Sequence, residues 1–165
     1  MSINTVSFND NALINTPFGA VAIAVYEGQL AIELLPASVQ IEKESTHLLV
    51  KLACEQIKQY LQQPKAGFEL PLAQQGSAFQ QRVWQAIAAI PFGQTRTYGE
   101  LAVQIGSGPR AVANACGANR LPLVVPCHRV VAKNGIGGFM QGKANGLGIK
   151  QWLLQHEGVK GFGGE

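Results

Sequence analysis

Within the run Leu121 to Val131, LPLVVPCHRVV, four residues that can do chemistry or shape the chain follow one another: Pro126, Cys127, His128 and Arg129. A thiol has a reference pKa of roughly 8.5 and is mostly protonated at neutral pH, and a neighbouring imidazole or guanidinium raises its thiolate fraction. The grouping therefore favours a nucleophile with a base beside it. Successive side chains of a strand point to opposite faces, so Cys127 and His128 can cooperate only if the chain turns there. Pro126 provides for such a turn, and relay through a water would relax the demand. A general base works best when a third group orients it. Glu157 is the only acid between Cys127 and the C-terminal Glu165, which makes Cys127, His128 and Glu157 the economical arrangement. Each member has a plainer alternative: an inert core thiol, a hydrogen-bonded core histidine, and a surface glutamate at a helix end.

The chain that must position these groups has 165 residues, 47% hydrophobic and 14% charged, enough for a sizeable core in one domain or two small ones. No apolar run approaches the roughly 20 residues of a membrane span, and the first thirty residues lack a secretory pattern. A cytoplasmic, globular protein is expected, with no membrane partner. The cysteines Cys54, Cys116 and Cys127 are odd in number and widely spaced, and His47, His128 and His156 are scattered. Neither a disulfide framework nor a metal site is predicted. Charge is unevenly placed. Residues 1–78 carry four lysines against seven acids, whereas residues 79–133 carry Arg82, Arg96, Arg110, Arg120, Arg129 and Lys133 against Glu100 alone. A polyanion meeting the middle of the chain would explain this, as would a solvated basic face.

The periodicities predict an α+β chain: a small N-terminal sheet-plus-helix domain, residues 1–75 with its linker, then a mostly helical C-terminal domain, residues 76–165. TPFGAVAIAVYEGQLAIELLP reads as a hairpin turning at Glu27, Gly28 and Gln29. Thr46 to Gln63 has helical spacing, with Ser45 or Thr46 as N-cap and Pro64 as stop, and places Cys54 on an apolar face as a buried, inert thiol. PKAGFELPLAQQG reads as a linker. Ser77 opens a helix through Ile90. Thr97 and Glu100 form a capping box for a short helix to Ile105, and Pro109 starts another to about Asn119 after Gly106-Ser107-Gly108. Two short helices around a three-residue turn resemble a helix-turn-helix. The second, PRAVANACGAN, offers small residues, Arg110 near its N-terminus and few base-reading side chains. It fits DNA binding with little sequence preference, or else a close-packed structural hairpin.

VPCHRVV, preceded by GANRLPL and followed by a Gly-rich loop and KQWLLQHEG, closely resembles the O6-alkylguanine-DNA alkyltransferases, also called methylated-DNA–protein-cysteine methyltransferases. The resemblance runs from about Phe79 to Gly158 and includes VWQAIAAIPFGQTRTYGELA. It implies irreversible, stoichiometric transfer of an alkyl group from O6 of guanine, and from O4 of thymine, to Cys127, in a nucleotide flipped out through the minor groove. It further implies activation of Cys127 through His128, water and Glu157, and support of the cysteine turn by Asn119. Tyr98 would donate a hydrogen bond to the departing guanine, and Arg110 would fill the space left in the duplex. The backbone of Cys127 and Val130 would recognise the base edge. Double-stranded DNA containing O6-alkylguanine is the implied partner, with no cofactor and a monomer in solution. Extruding a base costs a few kcal/mol, least for a damaged one.

The loop 134–148 departs from the commonest family pattern, with Phe139 where a tyrosine is usual, followed by Met140 and Gln141; these should line the alkyl pocket. Three other classes compete. A damage sensor of the family would lack the nucleophile, a transcription regulator would carry more base readers, and a cysteine hydrolase would turn over an ester.

Overall fold

The computed structural model describes residues 11–139 and 145–162. It is a mixed α/β chain that separates, between Gln74 and Gln75, into two compact units. The N-terminal unit begins with three antiparallel strands, β1 (Ala12–Thr16), β2 (Gly19–Tyr26) and β3 (Gln29–Leu35), in the order β1-β2-β3. Alternate residues Val21, Ile23 and Val25 of β2 are buried, as are Leu30, Ile32 and Leu34 of β3. Each strand thus gives one face to a core. The β2–β3 connection is the two residues Glu27 and Gly28, both at positive φ, which gives the backbone twist that a tight hairpin needs. Helix α1 (Leu48–Gln62) packs on β1 and β2 and buries Val50, Ala53, Ile57 and Tyr60.

Three details correct the sequence expectations here. Strand β1 lies before the predicted hairpin and escapes the periodicity because it is short and interrupted by Asn15; its buried residues are only Ala12 and Ile14. The N-cap of α1 is His47, whose Nδ1 accepts from the Leu49 amide at 3.2 Å. The buried Ser45 hydroxyl is instead used one step earlier, accepting from the His47 amide at 3.0 Å. Cys54 is half-buried rather than buried, though burial still raises its thiol pKa, which keeps it protonated and unreactive.

The second unit opens with α2 (Ala78–Ala88), capped reciprocally by Ser77 and Gln80. Strand β4 (Arg96–Thr97) runs directly into α3 (Tyr98–Ile105), whose start is closed by Thr97 and Glu100 in a second capping box. Gly106 ends α3 in the left-handed region, and α4 (Pro109–Gly117) starts with proline at its first position. Trp84 of α2 donates its indole N–H to the Ala115 carbonyl at 2.9 Å, fixing α4 against α2. After α4 the chain passes through a buried loop and a single 3-10 turn, Cys127–Arg129, into β5 (Val130–Val131), which pairs in parallel with β4. Helix α5 (Gly146–His156) buries Ile149, Lys150, Leu153 and Leu154. Arg96 pairs with Val130 and Thr97 with Val131, so the segment carrying the thiol is bonded to the segment that starts α3.

Candidate active site

The 3-10 turn supplies the bend that a strand could not, so Cys127 and His128 project from a tight corner following Pro126. Asn119, just beyond α4, holds that corner. Its Nδ2 donates to the Val125 carbonyl at 2.9 Å and to Cys127 Sγ at 3.1 Å, while its Oδ1 accepts from the Leu121 amide at 3.0 Å. An amide donor on sulfur favours the thiolate over the thiol.

His128 is fully buried, and its Nε2 lies 2.6 Å from Oε2 of the buried Glu157. A carboxylate can only accept, so Nε2 carries the proton and Nδ1 presents a lone pair. Nδ1 has no hydrogen-bonding partner among the described residues. Burial lowers the His128 pKa, with Arg129 and Lys150 adding to the effect and Glu157 opposing it. The imidazole is therefore neutral, as a proton acceptor must be. Cys127 and His128 make no direct hydrogen bond, so the sequence's Cys/His/Glu grouping meets as a His128–Glu157 pair with the thiol adjacent.

Arg129 does not serve the thiol as its place in the sequence suggested. Its Nε donates to Glu157 Oε1 at 2.8 Å, its Nη2 to Glu157 Oε2 at 3.2 Å and its Nη1 to the Ile90 carbonyl at 2.8 Å. Successive residues of a 3-10 turn point in different directions, and here they send Arg129 to the carboxylate. The cation that acts on the thiol is Lys150. Fully buried on α5, it donates to the Val130 carbonyl at 2.6 Å and to the Gly138 carbonyl at 2.8 Å. Burial pulls its pKa down to about 8, against the opposing pull of Cys116 and Cys127. The sequence did carry a signal for it: Lys150 lies three and four residues before the buried Leu153 and Leu154, on the apolar stripe of its helix.

Tyr98, the first residue of α3, donates from its hydroxyl to the Gly138 carbonyl at 3.4 Å, and Lys150 Nζ lies 5.8 Å from its ring centroid. Burial above all pushes its phenol up to about 12, which keeps the proton on the oxygen. Val130 is buried and its carbonyl is bonded to Lys150. Phe139 is also buried, its ring centroid 5.9 Å from Lys150 Nζ; Met140 and Gln141 lie outside the described residues. Arg110 stands apart from this cluster, exposed in the first turn of α4.

Cys127 is only 6% exposed. The Cys127 thiol donates to the Cys116 carbonyl at 3.7 Å. Interaction between the two thiols draws Cys116 below its ordinary value and, with burial, pushes Cys127 well up, so the two titrate as a pair.

The family model for the 6-O-methylguanine DNA methyltransferase DNA-binding domain matches residues 78–159. A mimivirus protein named "Probable methylated-DNA--protein-cysteine methyltransferase" is 41% identical over 148 residues, covering 88% of this chain and 94% of its own. The methylated-DNA–protein-cysteine methyltransferase of Methanosarcina acetivorans is 36% identical over 154 residues, covering 89% and 97%. Among solved structures, the Mycobacterium tuberculosis OGT in complex with DNA superposes with a TM-score of 0.73 at 32% identity, covering 90% of this chain and 92% of that one.

Proposed function

The chain belongs to the methylated-DNA–protein-cysteine methyltransferases, O6-alkylguanine-DNA alkyltransferases of DNA repair, and on that premise we propose that Cys127 is the acceptor in an irreversible transfer that each molecule performs once. The observation that carries the reading is the corner around the thiol: Asn119 donates to Sγ, and beside it stands a neutral His128 whose tautomer is set by Glu157. His128 Nδ1 takes the thiol proton through an intervening water. The sulfur attacks the alkyl carbon on O6 of guanine; the C–S bond forms, the C–O bond breaks, and the guanine leaves with Tyr98 donating to it. Val130 and the Cys127 backbone meet the base edge. O4-alkylthymine presents the same kind of leaving oxygen and is a second substrate. A thioether has no ready exchange route, since thiol exchange acts on disulfides, so the product does not turn over.

The target atom is reachable only in an extruded nucleotide. Helices α3 and α4 act as a helix-turn-helix, with the small side chains of α4 allowing close approach in the minor groove and Arg110 filling the space the base vacates. On this reading residues 76–165 are the DNA-binding, transferring domain and residues 1–75 a separate α+β domain. The protein works as a cytoplasmic monomer without a cofactor. Among the described residues no helix is long and apolar enough to cross a membrane.

Incubation with a duplex containing O6-methylguanine, followed by intact mass and peptide mapping, tests the proposal. One methyl replacing hydrogen on Cys127, at one per molecule, is the expected result. Cys127→Ser should lose all transfer and keep its preference for the damaged duplex. Repeated turnover, or a methyl group on another residue, would refute it.

A further inference from the structure

We infer that Cys116 is a resolving thiol for Cys127: under a peroxide the two close into a disulfide that withdraws the nucleophile from reaction reversibly. Cys116 lies in the last turn of α4, eleven residues before Cys127, and Cys127 Sγ is 3.7 Å from its carbonyl oxygen. The Cys127 thiol donates to the Cys116 carbonyl, the two sulfurs act on each other electrostatically, and both thiols are free. Cys116 is the more open of the two, half-buried where Cys127 is buried, so a small oxidant reaches it first. The buried ammonium of Lys150 acts on both sulfurs and favours a thiolate in the pair. Nothing in the transfer chemistry calls for a second thiol there. Cys54 belongs to the other unit, and the lysine that acts on it, Lys58, is exposed rather than buried.

The chemistry balances with a hydroperoxide as oxidant. The Cys116 thiolate attacks one peroxide oxygen, the O–O bond breaks, and the departing oxygen leaves as water after taking a proton; Cys116 becomes a sulfenic acid. Cys127 sulfur then attacks the Cys116 sulfur, the S–S bond forms, the S–O bond breaks, and the second oxygen leaves as water with the Cys127 proton. Two thiols and one hydrogen peroxide yield one disulfide and two waters, the sulfurs giving up two electrons. A dithiol reverses the bond by exchange. Without a resolving partner a sulfenic acid on Cys127 would proceed to sulfinic acid, which exchange does not repair. The effect on repair rests on Cys127 being the alkyl acceptor, whereas formation of the bond does not.

The full chain would be treated with hydrogen peroxide at one equivalent, its remaining thiols capped with N-ethylmaleimide, and the mass and the non-reduced peptide map recorded. A second portion would be reduced with dithiothreitol and offered the O6-methylguanine duplex. The expected result is loss of two hydrogens, a single capped thiol at Cys54, a peptide joining Cys116 to Cys127, and transfer that is abolished and then fully restored. Cys116→Ser, treated with a several-fold excess of peroxide because sulfinic acid consumes two equivalents, should give no joined peptide and an unrestorable loss, with sulfinic acid on Cys127, whereas wild type under the same excess keeps the restorable link. If that variant does not fold, the wild-type peptide map decides alone. A capped Cys116 beside an oxidised Cys127, or a link to Cys54, overturns the proposal. A reversible 116–127 link in a protein that, reduced, never accepts a methyl group would uphold the disulfide and refute the repair reading.

Discussion

At the scale of single residues, His128 has one ring nitrogen committed to Glu157 and the other left with its lone pair. Because burial lowers its pKa below the ordinary 6.5, the folded protein refuses a proton that the unfolded chain accepts below that pH. The unfolded state then binds more protons, so stability falls as pH drops below about 6.5. Measured by denaturant melts between pH 7 and 5, wild type should lose more stability than His128→Asn, while transfer by the still-folded protein holds to lower pH than a base of ordinary pKa would allow. Equal slopes would mean the buried ring takes up its proton as readily as a free one. Cys127 and His128 stood out as chemically apt types in an apolar run and Glu157 as the one acid between them and the C-terminal Glu165, but the identity of the cation was not legible. Adjacency in sequence favoured Arg129; the direction of side chains from a 3-10 turn gave the place near the thiol to Lys150, from another helix.

At the scale of elements, the site depends on how closely backbone segments approach. Gly137, at φ +77°, faces the Tyr98 ring so nearly that a Cβ would lie 2.8 Å from a ring carbon and 3.1 Å from the Ala132 nitrogen. Gly137→Ala should therefore cost about 1–3 kcal/mol through the strained φ and the clash, and slow transfer by displacing Tyr98; thermal melts and single-turnover rates would show both. An unchanged rate would mean that Tyr98 moves without consequence. In α4, Arg110 is exposed while the residues behind it pack. Arg110→Ala should weaken duplex binding and duplex repair more than reaction with free O6-alkylguanine, and equal losses on both substrates would exclude a role in the duplex. The capping boxes at Ser77 and Thr97 were readable because each is a local pattern. Strand β1 was not, since its pairing depends on β2 rather than on its own residues, and the His47 cap was hidden because two better-known capping types precede it.

At the scale of the whole chain, basic residues concentrate within the stretch that the family model matches: six in residues 79–133 against one acid. Binding to DNA should weaken steeply as salt rises, because affinity from phosphates falls with counterion release. The two units divide between Gln74 and Gln75, and every side-chain bond described around Cys127 is made within the second. A fragment of residues 75–165 should consequently fold, bind the damaged duplex and accept one methyl group, as circular dichroism and intact mass would establish. Failure of the fragment to fold would show that the first 74 residues are required for the second unit's structure. The division was visible in sequence as PKAGFELPLAQQG between two differently patterned regions. The path of residues 134–139 was not, because Gly135, Gly137 and Gly138 leave many backbone courses open to a reading from sequence.

The thiol's surroundings come from distant parts of the chain: Glu157 bonds to His128 across 29 residues, Ile90 to Arg129 across 39 and Gly138 to Tyr98 across 40. Contacts of such separation close late in folding, since loop entropy must be overcome before they form. A chain emerging from synthesis thus carries an ordinary cysteine at position 127, no more reactive towards stray electrophiles than any other. On the proposed single-use reading, the order of folding itself protects the thiol, for the reagent exists only once the protein does.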